Sequence, residues 1–141
     1  MVKRIINGIA MAIRKQYPDR DYLIKTETSE QDFITPCFFI KFITQVQQPK
    51  LSNRYKEVYT FDVQFYAKNG RNDDCMDVSA ELCDVLEYIT VGTDLVRGSN
   101  INIKIEDGVL HFLIDYAMSV YRQLPVGSNM KEVVINEKIT G

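Results

Sequence analysis

An Asp-Gly dipeptide, Asp107-Gly108, set between two runs of alternating apolar residues, constrains this chain more than any other feature. Asp-Gly favours the two-residue type I′ hairpin, whose backbone twist matches that of the flanking strands. A loop of that length sets the register. Ile105 is expected opposite Leu110, Ile103 opposite Phe112, and Ile101 opposite Ile114. Every pair is apolar, and a slip of one residue would turn all six side chains to the other face. The second strand carries Tyr116, Met118 and Val120 onward on the same face. An antiparallel sheet with one apolar face must be covered, so the remaining chain has to supply the cover.

Two segments suit that task. Val2, Ile5, Ile6, Ile9 and Ile13 recur at steps of three and four, which predicts an amphipathic helix over about 2–16, stopped by Pro18. Gly8 inside it costs about 1 kcal/mol of propensity relative to Ala; it marks either close packing or a weak point. The apparent signal peptide at this end (Lys3-Arg4, then a short apolar stretch) is interrupted by Asn7-Gly8 and is read as helix. A second helix is expected over about 73–90, with Asn72 as cap, Asp73 and Asp74 at the positive end of its dipole, and Gly92 as stop. Its inner stripe would be Cys75, Ser79, Leu82, Leu86 and Ile89.

Strands fill the interval. A short one is expected over 22–28. Residues 37–43 are bulky on both faces, as in a strand covered on both sides. Residues 45–53, with Pro49, read as a polar loop. Residues 54–67 read as a long strand with Tyr59, Phe61, Val63 and Phe65 on one face and Thr60, Asp62 and Gln64 on the other. Asn69-Gly70 turns the chain. The expected fold class is α+β: a single β-sheet packed with two helices, order α-β-β-β-α-β-β, plus a C-terminal tail strand around Val133-Val134-Ile135. One domain over 1–124 is expected, with 125–141 as an extension.

Composition narrows the chemistry. The three cysteines, Cys37, Cys75 and Cys83, form no CxxC and read as reduced thiols of a cytosol-made protein. One histidine excludes HExxH, no Gly-rich phosphate loop is present, and no zinc or calcium spacing appears, so no metal and no cofactor are expected. No apolar run reaches membrane-spanning length. His111 reads as a partly exposed strand histidine facing Lys104, against the alternative of a general base oriented by Asp115 or Glu106. Cys75 lies near a helix N-terminus, where thiolates are favoured, but on the inner stripe, where Cys packs as a small hydrophobe. The Tyr-rich strand, with Arg54 and Lys56, reads as core rather than as a stacking platform for single-stranded nucleic acid. No catalytic residue is expected.

Charge is unevenly placed. The formal net charge is -2, yet residues 72–96 carry seven acids and no base, leaving 17 bases against 12 acids elsewhere. Asp74, Asp77, Glu81 and Asp84 step along one helix face, while Lys3, Arg4, Arg14 and Lys15 are the only charged residues of the first helix. The acidic face is either a solvated surface or one that repels polyanions or meets a basic partner.

Taken in order, Ile5-Ile6-Asn7-Gly8-Ile9, Pro36-Cys37-Phe38-Phe39-Ile40, Asn53-Arg54-Tyr55, Phe61-Asp62-Val63, Leu86-Glu87-Tyr88-Ile89, Val96-Arg97-Gly98 and Asp107-Gly108-Val109-Leu110-His111-Phe112 resemble the phage tail terminator family of tailed phages and prophages of Gram-positive bacteria. The resemblance implies a structural protein, not an enzyme, that caps the head-proximal end of the tail tube, stops its elongation and joins it to the head connector. It implies a homo-oligomer, a hexameric ring on the tail, touching the tail tube protein and a head-completion or connector protein. DNA would pass through its lumen without sequence-specific binding. The expected location is the virion, with assembly in the host cytoplasm. On that basis Lys3, Arg4, Arg14, Lys15, Arg54, Asp74, Asp77, Glu81 and Asp84 form the candidate assembly surface, since a heterologous ring needs two complementary patches. The competing readings are another neck or connector component, and a small ligand-binding or enzymatic α+β domain using His111.

Overall fold

The computed structural model describes residues 1–19, 21–26 and 35–122. In chain order the elements are α1 (Val2–Gln16), β1 (Leu23–Lys25), β2 (Cys37–Pro49), β3 (Arg54–Tyr66), a short 3₁₀ turn (Lys68–Gly70), α2 (Asn72–Val85), β4 (Tyr88–Val91), β5 (Asp94–Glu106) and β6 (Val109–Tyr121). The strands form one six-stranded mixed sheet, ordered β1-β2-β3-β6-β5-β4. The architecture is α+β, with one sheet and two helices. The expected tail strand lies outside the described residues, and β4 is a strand that the expected order lacks.

The hairpin forms as its turn residues demand. Asp107 and Gly108 both take positive φ, 53° and 76°, the signature of a type I′ turn. Ile105 faces Leu110, and Ile103 faces Phe112. The third expected pair is displaced. The register shifts between Ser99 and Asn102, so that two residues of β5, Asn100 and Ile101, stand opposite Ile114 alone. Asn100 absorbs the bulge with φ 52°, a conformation Asn tolerates better than a bulky side chain, and its Nδ2 donates to Asp115 Oδ2 at 2.9 Å.

Two further boundaries are corrected. β2 does not give way to a loop at Gln45 but runs to Pro49, and the reversal occupies residues 50–53. Pro49 is tolerated because it falls at the strand's last residue. The second helix stops at Val85 instead of continuing to about 90. Tyr88-Ile89-Thr90-Val91 is a strand with Ile89 and Val91 buried, paired antiparallel with residues 94–97 of β5. Gly92, expected as a helix stop, serves the tight turn between β4 and β5. Asn72 does not cap α2 either. Its Oδ1 accepts from the Gly108 amide, tying the start of the helix to the hairpin turn.

The core lies between the sheet and the helices. Ile5, Ile9 and Ile13 of α1 and Cys75, Val78 and Leu82 of α2 are buried, as are Phe38, Ile40, Tyr59, Phe61, Val63, Phe65, Leu110, Phe112, Ile114 and Tyr116 of the sheet. Tyr17 and Phe65 each lie about 5 Å, ring to ring, from Phe38. Gly8 is a close-packing glycine: a Cβ there would sit 2.5 Å from the Thr90 carbonyl oxygen of β4.

By contacts the described residues divide into two units, each described by itself: one from within 1–46 and 58–117, the other 47–57 with 118–122. In the second, Arg122 stacks 4.4 Å from the Tyr55 ring and its guanidinium donates to Gln47 Oε1, while Asn53 and Arg122 exchange hydrogen bonds.

Candidate functional site

The polar face of β3 and the helix surfaces are the places where function would show. On β3, Asp62 and Gln64 are buried. Asp62 Oδ2 lies 3.0 Å from His111 Nδ1 and accepts from Gln64 Nε2 at 2.9 Å, while the Tyr66 hydroxyl donates to Gln64 Oε1. Lys104 is the residue opposite His111, as the register predicted. The partner of His111 is therefore Asp62, not Asp115 or Glu106. Asp115 instead accepts from Thr60 and Asn100, and Glu106 lies 3.7 Å from Lys104. Asp62 Oδ1 is buried without a hydrogen-bond partner among the described residues. The row links β3 to β6 through polar contacts.

The thiols are packed. Cys37 and Cys75 are buried and Cys83 half-buried, all unbridged. Burial, and then the neighbouring Asp74 charge, push the Cys75 thiol above its usual pKa, the reverse of what an activated nucleophile needs. Its Sγ lies 3.4 Å from the Gly108 carbonyl oxygen. Burial likewise raises Cys37. Among the described residues no group of His, Cys, Asp and Glu is arranged to hold a metal ion, and no helix is long and apolar enough to cross a membrane.

The charged residues singled out in sequence fall into unlike settings. Lys3, Arg4 and Lys15 are exposed on α1. Arg14 is committed elsewhere: its guanidinium donates to the carbonyl oxygens of Tyr17, Asp19 and Tyr22, clamping the chain that leaves the helix. Asp77 and Asp84 are exposed on α2, and Asp74 is half-buried. Glu81 accepts the Tyr17 hydroxyl, and burial together with that carboxylate holds the phenol well above its ordinary pKa. Arg54 is exposed and belongs to the second unit. The structure thus places Lys3, Arg4, Lys15, Asp77 and Asp84 at the surface with no ion-pair partner among the described residues. Sequence reasoning missed a groove of about 640 Å³ beside α1, walled by Gly8, Met11, Lys15, Tyr88 and Leu95. The alternating β-formers of residues 88–91 were the signal for its floor.

A family model for phage tail terminator proteins matches residues 4–127, most of the chain. The chain belongs to the phage tail terminator family. Membership gives it a structural role in the phage tail, as a virion-associated protein of a family that is structural rather than catalytic. No curated protein matches the chain. A solved structure of 14% identity aligns over 85% of this chain and 97% of its own, with a TM-score of 0.34, a likeness too slight to support an argument.

Proposed function

We propose that this terminator caps the head-proximal end of the tail tube, ends tube elongation and presents a joint to the head connector, acting as a ring of six copies through which DNA passes without sequence-specific contact. The observation that carries this reading is the family match spanning residues 4–127. The charge distribution supports it: a first helix with only bases and a second with only acids offer the two unlike patches that a heterologous ring requires. Of the charged residues singled out in sequence, the exposed Lys3, Arg4, Lys15, Asp77 and Asp84 are the leading candidate assembly residues. Acidic side chains that reached the lumen would repel DNA phosphates and let the duplex slide. The protein acts in the tail or neck of the virion, assembled in the host cytoplasm.

The test adds purified protein to polymerising tail tube protein. Tubes should stop at a length set by the time of addition, with the protein at one end only. Continued growth, or binding along the whole tube, would overturn the reading. Charge reversal at Asp77, Glu81 and Asp84 that left both assembly and tail joining intact would remove these residues from it.

A further inference from the structure

The groove beside α1 and the outer face of α2 match each other in spacing and in charge. Along α1, Arg4, Gly8, Met11 and Lys15 follow the helical steps of four, three and four, so they share one flank. That flank borders the groove, where Met11 and Leu95 are 70% and 69% exposed and Tyr88 is half exposed. Along α2, Asp73, Asp77, Ala80 and Asp84 follow the same steps on its exposed side, with Met76 alongside, itself half exposed. Each line spans three turns, about 16 Å at 1.5 Å per residue. One ends in bases at both extremes and the other in acids at both extremes. Arg4, Lys15, Asp73, Asp77 and Asp84 have no ion-pair partner among the described residues.

We propose that the α1 groove of one copy receives the acidic outer face of α2 from a second copy, small Ala80 and Met76 seating against the Met11–Tyr88–Leu95 surface and the terminal acids meeting Arg4 and Lys15. A helix laid into a groove through anchors at such steps is a recurrent recognition mode. The two patches differ, so the contact is head-to-tail and propagates around a ring. Opposite charge selects a second copy of this chain over an unrelated apolar partner. This inference rests on the reading that the chain assembles with itself, and it names the surface.

The experiment measures self-association by sedimentation at low ionic strength for four samples: wild type, R4E/K15E, D73K/D84K, and an equimolar mixture of the two variants. Circular dichroism checks that each variant folds, as changes at exposed positions should allow. Each variant alone should associate more weakly by about tenfold or more, because like charges then oppose at both ends of the contact. The mixture should recover wild-type association, since in alternating order every junction pairs opposite charges: an acidic α1 with a basic α2 at one, the native basic α1 with the native acidic α2 at the next. M11K should weaken association in a way that added salt does not mimic. A wild type that stays monomeric at high concentration, variants that associate as wild type does, or a mixture that shows no recovery would each overturn the proposal. Failure here with tube capping intact would move the contact elsewhere without touching the proposed function. Recovery in the mixture with no effect on tubes would retain the contact and overturn the function.

Discussion

Single residues settle how α1 is seated. Gly8 gives up about 1 kcal/mol of helix propensity, and the structure shows why: the Thr90 carbonyl oxygen occupies the space a Cβ would need. That oxygen is backbone in a paired strand, so it cannot swing aside. Gly8→Ala should therefore destabilise the protein by about 1–3 kcal/mol despite the better helix former, read as a lower urea midpoint. An unchanged or higher midpoint would mean that α1 does not lie on β4. Tyr116 tests the core chemically. Burial pushes its phenol above the ordinary value, and its hydroxyl donates to the Leu86 carbonyl oxygen at 2.7 Å. The pKa of Tyr17 is raised too, by burial first and then by Glu81. A raised pKa means that the folded state holds the proton more tightly, so this stability is complete below the unfolded tyrosine pKa of about 10 and is lost as pH rises toward the folded value. Thermal melts should show Tm falling above about pH 10. Tyr116→Phe should cost about 1 kcal/mol at neutral pH and make the alkaline fall shallower. An equally steep fall in the variant would assign the alkaline loss to other groups.

At the scale of elements, the hairpin turn and the first two cross-strand pairs were legible because Asp107-Gly108 permits few geometries and the apolar alternation permits one register. The bulge at Asn100 was not, because a single inserted residue leaves the alternation looking continuous. The neighbouring pair, which keeps its register, is unequal: Phe112 is fully buried while Ile103, directly opposite, is 40% exposed. Phe112→Ala should cost about 3–5 kcal/mol and Ile103→Ala roughly 1, a contrast measurable by chemical denaturation. Similar costs would mean that both sides of the pair are equally covered. The end of α2 was misread for a definite reason. Leu82, Leu86 and Ile89 are buried and keep a helical spacing, so periodicity extended the helix. Yet Tyr88-Ile89-Thr90-Val91 also alternates with period two and is rich in β-formers, and pairing with β5 decides between the periods. The groove floor depends on that strand, so reading 86–90 as helix hides the groove. The polar loop expected after Ile43 failed because polarity was taken for irregularity, whereas residues 41–49 form an exposed strand.

Taken whole, the molecule separates its charges, and this was readable from the order of residues alone. Which charges are available was not. Arg14 is spent on three carbonyl oxygens and Glu81 on Tyr17, whereas Arg4, Lys15, Asp77 and Asp84 stay at the surface. Charge reversal at Arg14 should therefore act mainly on stability, and reversal at Asp84 mainly on association. Paired melting and sedimentation of the two variants distinguishes them, and the opposite pattern would contradict the assignment. The most direct measurement of the central claim is the distribution of tail lengths, by electron microscopy, in a phage from which this gene is deleted and then restored. A tail terminator predicts overlong tubes of variable length with few joined heads, and uniform joined tails once the gene is restored. Tails of normal, uniform length attached to heads in its absence would contradict the account.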